Sequence, residues 1–241
     1  MTALLKTHFI VFFLVTSLSA WGAQPRVSKS PLSKLIAQPV ITAVFRDDMG
    51  LLWVGTQEGL YKFDGANLVI FNSDGNNDNW IPASNIRGIT EDSEGGVLVA
   101  TYGGGLLRWD SLSHQFIAAP NFDSRGNSQL TSIYSAEESG VWVGTKEKVL
   151  LYDGFNQDAG RWLSSPNITA KIGKPYAFME STTGELIVGS NLGLSIISTT
   201  NRTVKKYELS ALDDADSLGV TALAMDNEGN LIIGTDTATI A

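Results

Sequence analysis

The sequence predicts an all-β protein of the β-propeller class, built from four-stranded blades of about 45 residues. The main observation is an internal repeat: segments similar to LWVGT recur with the small residue at Gly55, Ala100, Gly144, Gly189 and Gly234. These small residues are 45, 44, 45 and 45 positions apart. Each period also holds short apolar runs separated by turn residues, which fill its length and leave no room for helices.

Each period contains four predicted strands in a fixed order. The first alternates apolar and polar residues, as in ITAVFRD, and a turn such as DDMG follows it. The second is the β-branched run that ends in Gly-Thr, the third resembles GLYKFD, and NLVIFN or HQFIAA supplies the fourth. One such sheet cannot bury both of its faces, so neighbouring blades must cover them. A leucine-rich array would need a shorter period and regular Leu and Asn positions, which this chain does not have.

The repeat also predicts the division of the chain. A lead-in segment is expected at residues 24–39 and the propeller at residues 40–241. The propeller is predicted to contain four complete blades and a truncated fifth, with these bounds: 41–85, 86–129, 130–174, 175–219 and 220–241.

The turns between the first and second strands have the composition of structural turns. Three of them place an Asp three residues before a Gly: Asp47 and Gly50, Asp92 and Gly95, Asp226 and Gly229. An Asp side chain can accept hydrogen bonds from backbone two residues ahead, and Gly supplies the positive φ of the turn. The third repeat has Gly140 one residue late, and the fourth keeps Gly184 but has Ser181 in place of Asp. We expect these turns, and the small residue of each Gly-Thr, to be scaffold rather than ligand site.

Composition excludes several classes of function. The chain has 241 residues, 43% of them hydrophobic and 17% charged, with a formal net charge of -8. This charge repels phosphate backbones, so no nucleic-acid partner is expected. Cysteine is absent, which rules out disulfides, thiolate zinc sites and cysteine nucleophiles.

The start of the chain predicts its compartment. Residues 1–23 combine one Lys, the apolar run FIVFFLVTSL and small residues, which is the layout of a secretory signal peptide. Cleavage after Gly22 would use Ala20 and Gly22 as the small pair. An uncleaved anchor is the alternative, although about ten apolar residues are short for the ~20 that span a bilayer. No later apolar run reaches spanning length, so we expect a periplasmic or secreted protein.

Candidate chemical sites are few. A triad or metal site would have to use His114, because His8 lies in the signal peptide. The glycine-rich run Thr101–Gly105 precedes a strand rather than a helix, so it lacks the geometry of a phosphate loop. The acidic run Asp74–Asn79 lacks the Gly and Glu of a calcium loop. Two short glycan-acceptor motifs, which also occur by chance, start at Asn167 and Asn201. We predict no catalytic residue, metal site or cofactor, and the sequence does not identify ligand-binding residues.

The repeat resembles a known one. VITAVFRDDMGLLWVGTQEGLYKFDG, followed by IRGITEDSEGGVLVATYGGGLLRWD, is similar to the two-component regulator propeller repeat, with its pattern I-x-x-I-x-x-D-x-x-G-x-L-W-h-G-T-x-x-G-L-x-x-Y-D. The likeness covers about Val40 to Thr235. It is most specific in the first two repeats and weakest in the fourth, where SIIS replaces the aromatic-Asp ending.

This resemblance implies a sensory module. In that family a periplasmic propeller is joined through a transmembrane helix to a histidine kinase, a hybrid regulator or a diguanylate cyclase. No such output domain follows here, so the chain itself is not expected to be an enzyme. A small molecule or glycan is the expected ligand, the membrane would be reached only through a missing C-terminal segment, and a longer form could be a homodimer.

Two questions stay open at the level of sequence. The incomplete fifth repeat reflects a truncated gene, a fragment, or a five-bladed ring in which Gln24–Pro39 lends strands. Truncation is favoured because an unfinished sheet leaves exposed edges and an unburied face. The alternatives to a sensor are a secreted propeller enzyme, such as a lyase, and a plain protein-interaction scaffold, since fold does not dictate function.

Overall fold

The structure, a computed structural model, describes residues 40–75, 78–119, 128–136, 140–146, 148–152, 172–201, 203–207, 209 and 219–236. All of them belong to the second of two units, Ala37–Ala241. The predicted signal peptide and lead-in segment lie outside the described residues.

Two complete sheets come first along the chain, and each has four antiparallel strands in sequence order. The first consists of β1 (Ile41–Arg46), β2 (Leu52–Thr56), β3 (Leu60–Phe63) and β4 (Leu68–Phe71). The second consists of β5 (Ile86–Glu91), β6 (Val97–Thr101), β7 (Gly105–Asp110) and β8 (Gln115–Ala118). These eight strands agree with the order of apolar runs in the first two repeats.

Three further sheets follow with the same antiparallel order. The third contains β9 (Leu130–Ala136), β10 (Gly140–Thr145) and β11 (Val149–Tyr152), and its predicted fourth strand falls outside the described residues. The fourth contains β12 (Pro175–Glu180), β13 (Leu186–Ser190), β14 (Gly193–Ile197) and β15 (Val204–Tyr207). The last is a hairpin of β16 (Val220–Met225) and β17 (Leu231–Thr235). The all-β prediction is confirmed.

The first strand of every sheet lies on the inner side of the structure. The strands β1, β5, β9, β12 and β16 contact one another from sheet to sheet. Because each is followed outward by the second, third and fourth strands of its sheet, the sheets are arranged like blades around a common axis. One rim holds the starts of the inner strands, and the opposite rim holds the turns that contain Asp47 and Asp92.

One contact recurs between the first and second, the third and fourth, and the fourth and fifth sheets, and we call it the junction contact. A β-carbon placed on Gly55 would lie 2.6 Å from Cγ2 of Ile86, the first residue of the next inner strand. One placed on Gly189 would lie 2.6 Å from Cγ1 of Val220, and one on Gly144 would lie 2.7 Å from Cγ of Pro175. Ile86 and Val220 are completely buried. At Gly55 and Gly189 the small residue is therefore required by a side chain of the following blade. At Gly144 it is required by Pro175 of the following blade together with Ser132 of its own blade.

The outward faces of the first and last described sheets lack the junction contact. Ile41, the first residue of β1, is 53% exposed, whereas its counterpart Ile86 is completely buried. At the other end, a β-carbon on Gly234 would meet only Ala222 of its own hairpin, at 3.1 Å. Ile232, on the same face as Gly234, is 50% exposed. Both outward faces thus present apolar side chains that the inner junctions bury.

The Asp turns are held by the side chain of the Asp, as the sequence predicts. The N–H of Leu51 donates to Asp47 Oδ1 at 2.7 Å, and the indole N–H of Trp53 donates to Oδ2 at 2.8 Å. Asp92 accepts from the N–H of Gly96 and from Arg108 Nε, both at 2.8 Å. The glycines of these turns have positive φ, 85° at Gly50 and 75° at Gly95. Every polar atom of these carboxylates therefore serves the fold.

The hydroxyl that follows the small residue closes the opposite turn in the first, second and fourth sheets. Thr56 Oγ1 donates to the carbonyl of Gly59 at 2.9 Å and accepts from the N–H of Glu58 at 3.1 Å. Thr101 makes the same pair of bonds with Gly105 and Gly104, at 2.8 and 3.0 Å. Ser190 repeats the arrangement in the fourth sheet. These hydroxyls are buried and hydrogen-bonded, which gives a structural reason for the recurrence of Thr or Ser at this position of the repeat.

The junction contact predicts different effects for one substitution at two equivalent positions. Gly55→Ala adds a methyl group against buried Ile86 and should lower the free energy of unfolding by about 1 to 3 kcal/mol, the usual cost of overpacking. Gly234→Ala is the matched control, because the nearest described atoms all belong to Ala222 of its own hairpin, and should have little effect. Urea unfolding of both variants measures the difference. Equal losses at the two positions would contradict the role given to the junction.

Asp47 and Asp226 offer a second matched pair. Asp47→Ala leaves the buried Trp53 indole N–H without its acceptor, which should cost about 1 to 3 kcal/mol. Asp226 accepts bonds only from exposed groups of its own turn, from Glu228 and Asn230, so Asp226→Ala should cost less. Urea unfolding followed by tryptophan fluorescence measures both losses. If Asp226→Ala is as damaging as Asp47→Ala, the indole bond is not the reason.

Candidate functional site

A β-bulge occurs at the same place in every inner strand. In β1 the pairing with β2 passes from Ile41 directly to Ala43, so Thr42 is an extra residue. The same shift occurs in the other four inner strands. The bulged residues are Thr42, Arg87, Thr131, Tyr176 and Thr221. Bulges bend a strand and re-aim a side chain, often at the rim of a barrel or beside an active site. We call these five residues the bulge ring.

The bulge ring lies at one mouth of the axis, because its members are the second residues of strands that line the inner side. All five side chains carry a polar group. Threonine stands in the first, third and fifth sheets, and the larger arginine and tyrosine stand in the second and fourth. Thr131 Oγ1 donates to the carbonyl of Pro175 at 2.7 Å, which links the third blade to the fourth. Thr221 Oγ1 donates to the carbonyl of Gly234 at 3.3 Å within its own hairpin. The threonines of these two later blades therefore already have partners.

The first two blades differ, because polar atoms of this mouth have no partner there. In the described part of the chain, Thr42 Oγ1, Asn85 Oδ1 and Arg87 Nε are buried and make no hydrogen bond. Asn85 and Arg87 flank Ile86, and a β-carbon on Gly55 would lie close to both Ile86 and Thr42 Oγ1, at 2.6 and 3.4 Å. All three atoms belong to residues at or next to the bulges of the first two inner strands. A buried polar atom without a partner costs about 1 to 3 kcal/mol and calls for an explanation such as a bound molecule.

Two cations of this mouth lie over tyrosine rings. The Arg87 guanidinium carbon is 5.2 Å from the centre of the Tyr102 ring, and Lys174 Nζ is 5.2 Å from that of Tyr176. Such contacts hold a cation in place while leaving its edge free for hydrogen bonds. Tyr102 is itself fixed by its backbone N–H, which donates to the carbonyl of Asn85 at 2.8 Å. The Tyr102 ring thus holds the Arg87 guanidinium at this mouth.

The structure separates His114 from this mouth. His114 lies in the turn between β7 and β8, in the outer part of the second blade and at the opposite rim. It is exposed, has a φ of 55°, and its ring lies 6.1 Å from that of Trp109. Among the described residues, no group of three or more His, Asp or Glu side chains could hold a metal ion. The surroundings of His114 do not support a catalytic role for it.

The other candidates from the sequence serve turns or lie partly outside the described residues. Thr101–Gly105 forms the tight connection from β6 to β7 that the Thr101 hydroxyl closes. In the run from Asp74, residues 76–77 are not described. Asn201 Oδ1 accepts from the N–H and hydroxyl of Thr203, at 3.1 and 2.6 Å, and residues 167–169 are not described. Thr101–Gly105 contacts the bulge ring through Tyr102, whose ring lies 5.2 Å from the Arg87 guanidinium carbon.

The bulge ring was not predicted from the sequence, although the sequence contains a signal for it. Its members each follow the first apolar residue of a repeat and recur with the same period of about 45 residues.

Within the part of the chain that the structure describes, no helix is long and apolar enough to cross a membrane.

Comparison with known proteins gives matches in structure only. No protein-family profile matches the sequence, and no curated protein matches it. The fold is similar to the extracellular domain of the putative hybrid two component system BT4673 from B. thetaiotaomicron, with 21% identity and a TM-score of 0.69. That match covers 81% of this chain and 28% of the other, so this chain spans under a third of that protein's length.

Two other solved structures share the fold. Virginiamycin B lyase from Staphylococcus aureus is 13% identical with a TM-score of 0.59, over 80% of this chain and 62% of the lyase. The WD40 beta propeller domain of Doa1 is 16% identical with a TM-score of 0.57, over 81% and 60% of the two chains. At these identities the likeness establishes the fold. The chain has a β-propeller fold, and its likeness to an extracellular domain of a two-component system agrees with the resemblance found in its repeats.

Proposed function

We propose that this chain is the ligand-sensing propeller of a signalling protein that acts outside the cytoplasm. The observation that carries the proposal is the likeness to the extracellular domain of a hybrid two-component system, which the repeat motif supports independently. Binding of a small molecule or glycan would shift the population of conformations of the propeller and so bias a coupled output domain. A histidine kinase or a diguanylate cyclase is the output domain that the repeat implies.

The mouth that carries the bulge ring is the proposed sensing surface. Inner strands hold its residues rigidly, and ligand sites favour concave places where a few polar groups converge. The opposite rim is less suited to this role, because the carboxylates of Asp47 and Asp92 are occupied by their own turns and by Trp53 and Arg108.

We also propose that the chain is the N-terminal part of a larger propeller. The support comes from the outward faces of the first and last described sheets: Ile41 is half exposed, and among the described residues the nearest atoms to a β-carbon on Gly234 belong to its own hairpin. Further repeats would bury both faces by the junction contact that joins the described blades. A transmembrane helix and the output domain would then follow, and a secretory signal peptide at residues 1–23 would direct the propeller to the periplasm.

An enzyme on the same fold is the second candidate, because virginiamycin B lyase has a similar structure. It has less support, since His114 is exposed at the rim opposite to the bulge ring and no second His is present in the propeller. A scaffold that only binds other proteins remains the third candidate, with no specific observation in its favour.

The gene beyond codon 241 tests the proposed function. We expect the reading frame, or a corrected reading frame, to continue through further repeats of about 45 residues to an apolar segment of ~20 residues and a kinase or cyclase domain. Sequencing the genomic locus gives the answer. A stop codon followed by no repeats, no spanning segment and no output domain in the next ~2 kilobases would contradict a sensor at this locus.

A further inference from the structure

The first and last described sheets expose two apolar faces that differ in shape. On the first sheet, Ile41 and Val44 of β1 are 53% and 61% exposed, so branched side chains project from this face. On the last hairpin, Ala222 and Gly234 pair with each other, and the nearest described atoms to a β-carbon on Gly234 all belong to Ala222. This second face is therefore recessed, and Ile232, which is 50% exposed, lies beside the recess.

The junctions between successive sheets show how a projecting face and a recessed face fit together. Cγ2 of Ile86 fills the space above Gly55, where it would lie 2.6 Å from an added β-carbon. In the same way, Cγ2 of Ile133 in the third sheet would lie 2.7 Å from a β-carbon on Gly88 of the second. Each inner strand thus places branched side chains on small residues of the sheet before it.

The repeat carries both halves of these contacts to the two open faces. Ile41 and Val44 occupy the repeat positions of the side chains that enter the junctions. Gly234 and Ala222 occupy the positions of the glycines that receive them. The first sheet therefore has the projecting half of a contact and the last hairpin has the receiving half, and none of these four residues is charged.

From this complementarity we infer that a second copy of this chain docks head to tail, with Ile41 and Val44 of one copy packed on Ala222 and Gly234 of the other. The two faces do not cover each other within one chain, because Ile41 and Ile232 are both half exposed. Such an interface is heterologous, since it joins two different patches. Pairing of like faces would bring together two projecting surfaces or two recessed ones, and neither pairing places a side chain in a recess.

The most open part of the first face matches the part of the last sheet that is described. Val44 pairs with Val54 and Val54 with Tyr61, so the three side chains lie on the same face. Val54 and Tyr61 are only 5% and 6% exposed, which leaves the inner strand β1 as the most open part of this face. The last described sheet consists of the two inner strands β16 and β17, so its hairpin has the position needed to contact β1 of a second copy.

The inference goes beyond the proposed function and concerns the chain of 241 residues. Repeats that follow in a longer reading frame would take the place of the second copy on the last hairpin. The test therefore uses the purified full chain and does not depend on a ligand or an output domain.

Mixing two variants tests the inference by sedimentation velocity. Ile41→Asp alters the projecting face and Ile232→Asp the recessed one; their counterparts Ile86 and Trp53 are completely buried at a junction. We expect the wild type to associate, and each variant alone to associate at least about tenfold more weakly, because the contact would bury an unpaired carboxylate. A mixture of the two variants should form dimers and nothing larger, since one intact pair of faces remains.

Gly234→Val distinguishes a fitted contact from general apolar adhesion. The substitution adds apolar surface but fills the recess that Ile41 would enter, so it should weaken association at least about tenfold. General adhesion would instead stay equal or increase. Leu112→Asp is the matched control, because Leu112 is 92% exposed in the turn between β7 and β8 and lies on neither face. It should stay within about twofold of the wild type.

Circular dichroism and thermal melts check that each variant is folded. If Ile232→Asp does not fold, Gly234→Val takes its place in the mixture. Hydrogen exchange gives a second readout, because docking covers the last hairpin. Amides of β17 should exchange fast in the dilute, dissociated chain and more slowly as the concentration is raised.

Four results would overturn the inference. One is a wild-type chain that stays monomeric up to its solubility limit, which would leave both faces to a different partner. Another is loss of association in only one of the two Asp variants, which would indicate a dimer of like faces. The others are a mixture of variants that does not associate and a Gly234→Val chain that associates as well as the wild type. None of these results bears on the gene beyond codon 241, so the proposed sensory function is tested separately.

Discussion

The contact between one blade's small residue and the next blade's first apolar residue is the constraint on which this structure depends. Gly55 and Gly189 have no room for a side chain, because Ile86 and Val220 occupy that space. At Gly144 the space is taken by Pro175 together with Ser132 of the same blade. The contact sets the distance between inner strands and buries the face that a single sheet would expose. It also explains the period: each repeat must supply both the small residue for the next blade and the apolar residue for the preceding one.

Much of the fold follows from the sequence because its signals are local and repeated. The turn at Asp47 and the hydroxyl of Thr56 act within a few residues of themselves, so a pattern of Asp, Gly and Thr predicts their bonds. Hydrogen bonds between side chains of different strands could not be predicted in this way. The sequence contained no sign that Trp53 would donate to Asp47, or that Arg108 would take the equivalent place at Asp92, because both bonds depend on the register between strands.

The candidate site was out of reach of sequence reasoning for a related reason. The five residues of the bulge ring recur with the period of the repeat, but they are not of one type, so their positions do not indicate a site until the bulge in each inner strand is seen. Their polar character has no role in the core, and the threonines of the later blades already bond to backbone carbonyls. The first two blades differ in keeping polar atoms without partners, which directs attention to Arg87 rather than to His114.

Residue-resolved native-state hydrogen exchange tests most directly whether blades are stabilised by the blades on either side of them. Sheets flanked on both sides should open only with the whole domain, and a sheet flanked on one side should open more easily. We therefore expect amides in β6 and β10 to exchange slowly, with the free energy of global unfolding. Amides in the terminal hairpin of β16 and β17 should exchange faster, through local opening. Equal exchange free energies in the hairpin and in β6 would contradict this account.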